Sequence, residues 1–219
     1  MKFVNRVKNV IFSPRAAFQN ILAEGFSMTE PVGIVLGINF LNALLFGIGA
    51  IRGMNLITDF VSRRVHISPK IINLEIDISG VTGILLAIFL GVAVFYAIYS
   101  LFPWIINAGI GHIMAKHVFS GIGDFESLLC TFGYSQITSI SLTLGLLVFI
   151  IYPVTGLFVL LAMGIVRVIW SIVLRTLSVS EVYGLDLGRS FISVIMPYLL
   201  LLVFVLISSG FPFFFFKWC

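Results

Sequence analysis

The sequence predicts an all-α protein, a polytopic membrane helix bundle with about five transmembrane helices. Charged residues make up only 10% of the 219 positions, hydrophobic ones make up 60%, and the charges bunch between long apolar runs. These runs lie near 31–51, 81–106, 136–152, 153–174 and 191–209. Each has about the length a helix needs to cross the hydrocarbon, roughly 17–25 residues. Within lipid every backbone polar group has to be paired inside its own segment, so such runs become helices. No stretch between them reaches the ~50 residues of a soluble domain, so residues 1–219 read as a single membrane domain.

Residues 1–30 form a basic tail carrying Lys2, Arg6, Lys8 and Arg15. Ser13 followed by Pro14 is a helix start, since serine caps well and proline is tolerated in a first turn. Ala17, Phe18, Ile21 and Leu22 follow at helical spacing. A short amphipathic helix on the membrane surface is expected, with a tail helix packed on its own loops as the alternative. Arg6, Lys8 and Arg15 interrupt any signal-peptide core, so the first span is expected to serve as an uncleaved insertion signal.

Pro31 opens the first span, again in a helix-starting position. Residues 52–80 then read as an extracytoplasmic loop with a surface helix presenting Ile57, Phe60, Val61 and Val65, ended by Pro69, and an extended segment at 71–78. The second run outlasts one crossing. A kink is expected near Pro103, after which 104–119, with Asn107, His112, Lys116 and His117, is either a polar helical extension or a short sixth crossing. Residues 120–123 break the helix and Asp124 caps the next one, which leads into the third span. Tyr152 and Pro153 turn the chain into the fourth span. Beyond the fifth, Phe213 to Phe216 with Lys217 and Trp218 make an interfacial anchor.

The net charge of +4 is expected to meet anionic lipid headgroups and to set topology, not to bind nucleic acid. With the amino terminus inside, the inner segments hold Lys2, Arg6, Lys8, Arg15, Lys116, Arg175 and Arg189, against Arg52, Arg63, Arg64, Lys70 and Lys217 outside. That bias favours a cytoplasmic amino terminus and an outer carboxyl terminus. Cys130 and Cys219 then fall on opposite sides, which leaves no intramolecular disulfide.

Arg167 is the one formal charge read as well inside a span. An ionisable side chain there costs at least ~2.5 kcal/mol to bury, which makes it a functional candidate by default. Snorkelling to the headgroups beside Trp170, or a structural pairing, is the competing reading. Asn39 and Asn42 share a face of the first helix, Gln136, Ser139 and Thr143 line the third, and Arg167 lies at similar depth on the fourth. Together they form a candidate intramembrane polar cluster opening inward, or else a set of interhelical hydrogen bonds worth ~0.6–2 kcal/mol each. Gly33 with Gly37, and Gly49 with Gly53, are four apart, a loose packing signal in a chain with 20 glycines.

The sequence offers little for catalysis. His112 and His117 are five apart, off the four-residue spacing that puts two metal ligands on one helical face, and His66 is a lone loop histidine. No Ser, His and Asp set and no phosphate-binding glycine loop stands out. No metal or cofactor is expected.

Three stretches, FSPRAAFQNI at 12–21, GIGDFESLLCTFGYSQ at 121–136 and the run 170–197, together resemble the Yip (Ypt/Rab-GTPase-interacting protein) family in its prokaryotic, five-span form. Residues 12–21, FSPRAAFQNI, are similar to its helix with a Pro and an Ala–Phe pair ahead of the first span. Residues 121–136, GIGDFESLLCTFGYSQ, resemble its glycine break, short helix and Gly–Tyr pair. Residues 170–197 resemble its fourth helix, polar turn and fifth helix. The resemblance implies the fold and a multi-pass prokaryotic cell-membrane protein. Eukaryotic members are associated with small GTPases, vesicle traffic and membrane shaping. This chain departs from them in lacking their long polar amino-terminal region, and its Asp186–Leu187–Gly188 is not their acidic, Pro-containing motif. A GTPase partner is therefore not implied.

The sequence expectation is a non-enzymatic scaffold that shapes the bilayer or binds partners. Arg6, Lys8, Arg15, Phe18, Asp124, Phe125 and Tyr134 form its candidate cytoplasmic interaction surface. The expected partners are the lipid bilayer, anionic lipids above all, and a membrane protein or a second copy of the chain. A small transporter or channel component using the polar cluster is the alternative, and a membrane enzyme a third reading.

Overall fold

The computed structural model describes residues 3–25, 27–65 and 78–215, with side chains except at 55–86 and 209–215. Every regular element among the described residues is helical, and no strand occurs there. Helix α1 (Phe3–Phe12) and helix α2 (Pro14–Ala23) meet at Ser13. Pro14 occupies the first turn of α2, where its missing N–H costs nothing. Ser13 does not cap with its side chain, contrary to expectation. Its N–H bonds to the Asn9 carbonyl at 2.7 Å and its carbonyl accepts from the Ala17 N–H at 3.0 Å, so the backbone alone carries one helix into the next.

Helix α3 (Thr29–Val65) runs unbroken for 37 residues, past the point where the first apolar run stops. Residues 52–65 of the expected loop are thus helical. His66, Pro69, Lys70 and the expected extended stretch up to residue 77 lie outside the described residues. So do Phe216, Lys217, Trp218 and Cys219. Helix α4 (Ile78–Tyr99) is followed by α5 (Leu101–Ile113), with the break at Ser100, whose hydroxyl donates to the Ala97 carbonyl at 2.6 Å. Pro103 sits in the first turn of α5, so the interruption falls just ahead of the proline. A π-helical turn, Met114–Val118, extends α5. Its last bonds run from Phe119 N–H to the Met114 carbonyl (3.1 Å) and from Gly121 N–H to the Ala115 carbonyl (2.9 Å), after which Ser120 takes a positive φ of 56° and the helix stops.

Helix α6 (Phe125–Ser135), a 3₁₀ turn (Gln136–Ser139) and helix α7 (Ile140–Ile151) follow without a gap. Helix α8 (Pro153–Tyr183) begins directly after Tyr152 and ends at Gly184, whose φ of +66° and bond to the Ser180 carbonyl make a left-handed C-cap. Helix α9 (Leu187–Phe215) completes the described chain. Among the described residues, five segments are long and apolar enough to cross a bilayer: Thr29–Met54, Ala87–Val118, Phe125–Ile151, Pro153–Tyr183 and Leu187–Ser208. Large apolar side chains such as Phe95, Phe158 and Phe204 point outward from them, as lipid-facing side chains do.

The chain divides into two compact units. One comprises Met1–Val32, Phe102–Gln136 and Trp170–Cys219. Within it α1 and α2 pack on each other and on α6, and the π-helical turn packs on α9. Its core holds Trp104, Leu128, Phe132, Leu174 and Val194. The apolar stripe expected to face lipid is buried in this protein core instead: Ala17, Phe18 and Ile21 are at most 3% exposed. Gly133 allows the close approach of α6 to the start of α3, because a Cβ there would lie 2.4 Å from Cβ of Pro31.

The other unit comprises Gly33–Leu101 and Ile137–Ile169. Val35, Ala93, Ala97 and Leu146 are buried in it, and Gly145 brings α7 within 3.0 Å (Cβ position to Leu160 Cα) of α8. Gly33 and Gly37 face open space rather than a neighbouring helix.

Candidate functional site

In the second unit the structure brings together four of the six polar residues of the expected intramembrane cluster. Asn42 on α3 donates from Nδ2 to the Ser139 carbonyl (3.4 Å), and its Oδ1 accepts from the Thr143 hydroxyl (2.7 Å). Thr143 also reaches the Ser139 carbonyl at 3.4 Å, and Arg167 Nε donates to the Ser139 hydroxyl at 3.0 Å. The 3₁₀ turn matters here, because it places Ser139 where its carbonyl receives donors from two helices. Asn39 points its amide at the Val35 carbonyl of its own helix, 2.7 Å away, and does not join through that bond. Gln136 belongs to the first unit, where its backbone N–H closes α6 on the carbonyls of Gly133 and Tyr134. Asn42, Ser139 and Thr143 are buried and Arg167 is half-buried. These groups satisfy one another across three helices, as structural interhelical bonds do.

In the first unit the amino-terminal helix pair is held by two ion-pair systems. Arg6 bonds Glu30 at 2.8 Å and Glu24 at 3.0 Å, and Tyr134 donates its hydroxyl to the same Glu30 oxygen that Arg6 uses. Hydrogen bonding with Tyr134, and then with Glu24 and Glu30, raises the pKa of the Arg6 guanidinium above its ordinary value, against the opposing cost of desolvation. Its buried Nε has no hydrogen-bond partner among the described residues. Arg15 bonds Glu181 Oε1 at 2.5 Å, while Gln19 donates to Glu181 Oε2 at 2.7 Å. Arg6 is thus largely withdrawn into the unit, whereas Arg15, paired with Glu181, keeps 66% of its side chain exposed. Phe18 and Tyr134, 0% and 1% exposed, belong to its core rather than to a surface. Lys8 remains exposed.

Asp124 N-caps α6, accepting from the Ser127 N–H at 2.8 Å and the Ser127 hydroxyl at 2.9 Å. Burial pushes its carboxyl pKa up, but these two bonds outweigh that and hold it below the usual carboxylate range. Phe125, next in the chain, packs edge-on against the His112 ring at 5.6 Å. His112 in turn shares a 2.5 Å hydrogen bond with the Tyr183 hydroxyl, and that hydroxyl reaches the Asp124 carbonyl at 3.2 Å. No group of three or more His, Cys, Asp or Glu among the described residues is placed to hold a metal ion.

Arg175 is expected in an inner segment just beyond the fourth apolar run. It lies within α8 and is buried, with Nη1 2.7 Å from the Tyr198 hydroxyl, Nε 3.4 Å from the Ser135 hydroxyl, and its guanidinium 5.4 Å above the Phe132 ring. Hydropathy ends the fourth apolar run near Leu174, yet the helix continues to Tyr183. The small polar residues Thr176, Ser178 and Ser180 that follow it are buried too and continue the helix past the end of the apolar run. The Ser178 hydroxyl, for example, donates to Thr131 at 2.5 Å.

A family model described as the Yip1 domain matches residues 8–209, most of the chain. Neither a curated protein nor a solved structure matches it.

Proposed function

Because the chain belongs to the Yip1 domain family and is a multi-pass integral membrane protein, we propose that it acts without catalysing a reaction, as a membrane-shaping or protein-interaction scaffold of the Yip type. The observation that carries this reading is the attachment of α1 and α2. Two separate ion-pair systems, through Arg6 and through Arg15, tie the helix pair to residues at the ends of spanning segments. A force or partner acting on the pair is thereby transmitted to the bilayer-embedded helices. In this reading residues 1–219 act as one membrane domain, with the amino terminus on the cytoplasmic side of a prokaryotic cell membrane. Anionic lipids and a membrane-protein partner or second copy are its ligands. The test is electron microscopy of vesicles reconstituted with the full chain, together with chemical cross-linking to capture partners. The double variant Arg6→Gln, Arg15→Gln is expected to lose both vesicle remodelling and capture. Unchanged vesicle shape and unchanged capture would sink the scaffold reading.

The second reading, a small transporter or channel component, is favoured only by the network of Asn42, Ser139, Thr143 and Arg167. It predicts solute- or anion-dependent stabilisation of the purified protein that disappears in Arg167→Ala.

A further inference from the structure

Once Arg6, Val10, Ala17, Phe18 and Ile21 are turned into the protein, one face of α1 is left over. Val4, Lys8 and Phe12 are four residues apart and so lie on one line along the helix. Val4 is 72% exposed, Phe12 is 75% exposed, and Lys8 between them is exposed as well. In a water-facing tail helix this line would be polar. Here it is two large apolar groups flanking a cation, the composition of a helix that lies in a bilayer interface.

The position of α1 fixes what covers that line. Arg6, on the same helix, bonds Glu30 at 2.8 Å, and Glu30 stands one residue before Pro31 in the first turn of the spanning segment Thr29–Met54. Helix α1 is therefore held within one side chain's reach of the level at which the chain enters hydrocarbon. Three of the nearby acids are paired, Glu24 and Glu30 with Arg6 and Glu181 with Arg15, while Glu126 on α6 stays exposed. Lys8 is left to meet anionic headgroups.

We propose that the Val4–Lys8–Phe12 face of α1 is a lipid-binding surface that sits at the headgroup–acyl boundary of an anionic bilayer, while the apolar stripe of α2 serves the protein core. This deepens the scaffold reading and rests on its membrane-shaping half. A rigidly attached wedge in one leaflet is a direct way to impose curvature. The ring and methyl groups of Phe12 and Val4 supply apolar area, and the Lys8 stem lies along that area with its ammonium among the headgroups.

The test uses the full chain carrying Cys130→Ala and Cys219→Ser, reconstituted in vesicles of phosphatidylcholine with phosphatidylglycerol. Nitroxide labels are attached at Phe12→Cys and, as an aqueous reference, at Asn20→Cys, an exposed position on α2. The label at position 12 should collide with a water-soluble nickel chelate several-fold less than the label at 20 while staying accessible to oxygen. Lys8→Gln should lower the ratio of inserted to uninserted label about fivefold in the anionic vesicles, the worth of one basic residue at such a surface, and little in phosphatidylcholine alone. Equal nickel accessibility at 12 and 20 overturns the proposal. So does protection of position 12 from both reagents, which would mean that a protein partner or a second copy covers it. The double variant Val4→Ser, Phe12→Ser, which touches no core position, separates this inference from the scaffold reading. If the label at 12 is inserted but the double variant still remodels vesicles, the lipid surface stands and curvature arises elsewhere. If remodelling persists with position 12 in water, the inference fails and the scaffold reading survives.

Discussion

Replacing Gly133 with alanine tests how closely α6 packs against the start of α3. An alanine Cβ at that position would lie 2.4 Å from Cβ of Pro31, 3.2 Å from its Cα and 3.1 Å from Trp104 Cζ2. Carbon atoms rest at about 3.5–4.0 Å, so the contact must open by roughly an ångström. Neither neighbour can rotate aside. The Pro31 ring fixes its own Cβ, and Trp104 is held by a bond from its indole N–H to the Leu129 carbonyl at 3.1 Å. Overpacking of this kind costs about 1–3 kcal/mol, while alanine gains about 0.8–1.0 kcal/mol over glycine in a helix interior. Gly109 supplies the control, being helical in α5 of the same unit with nothing within 4 Å of an added Cβ. Only the helical gain applies there. The two alanine variants should differ by about 1–3 kcal/mol, which at about 2–4 °C per kcal/mol for a chain of this size separates their apparent Tm values by about 2–12 °C. Purified protein in one detergent, heated at one scan rate because membrane-protein unfolding is often irreversible, gives the comparison. A Gly133→Ala variant as stable as Gly109→Ala would refute the close approach.

Asp124→Ala removes the cap of α6 and should cost about 1 kcal/mol. Because the carboxyl pKa is lower in the folded protein than in the unfolded chain, its contribution is present above about pH 4 and fades as pH falls through the folded value. The Tm gap between wild type and Asp124→Ala should therefore narrow in acid, and a gap that widens would contradict the bonding at Ser127. A double-mutant cycle on Asn42→Ala and Thr143→Ala should show a coupling near 0.6 kcal/mol and no more than about 1.7, measured by thermal unfolding, whereas strict additivity would deny their bond. Tyr198→Phe should cost about 1.5–3 kcal/mol by depriving the buried Arg175 of an acceptor. Tyr152→Phe, at an exposed position, should stay within about 0.5 kcal/mol of wild type.

The spans were legible because hydropathy over some twenty residues answers directly to the bilayer. The side-chain pairings were not. Tyr134 meets Glu30, and Asn42 meets Thr143, across separations of 104 and 101 residues. No local periodicity encodes such pairs. The stripe of Ala17, Phe18 and Ile21 was readable as apolar, but an apolar face does not say whether lipid or protein will cover it. Here α1 and α6 pack against α2, and Arg15 and Gln19 on the same helix bond Glu181. Arg175 was misplaced for a related reason. Hydropathy averages over a window and ends a segment at its first cluster of polar residues, whereas a helix continues wherever its polar side chains find partners, as at Ser135 and Tyr198.

The π-helical turn at Met114–Val118 has a consequence for chain length. A turn of this kind amounts to one residue inserted into an α-helix, and the local backbone already accommodates it, with Phe119 bonding back to Met114. Deleting one residue between 114 and 118 would return the turn to α-helical geometry and let the flanking segments keep their registers. The same deletion in the middle of α9 would rotate everything beyond it by about 100°. Insertions and deletions among related chains should therefore gather at this turn, and length variants made there should express and fold while those made within the regular helices do not.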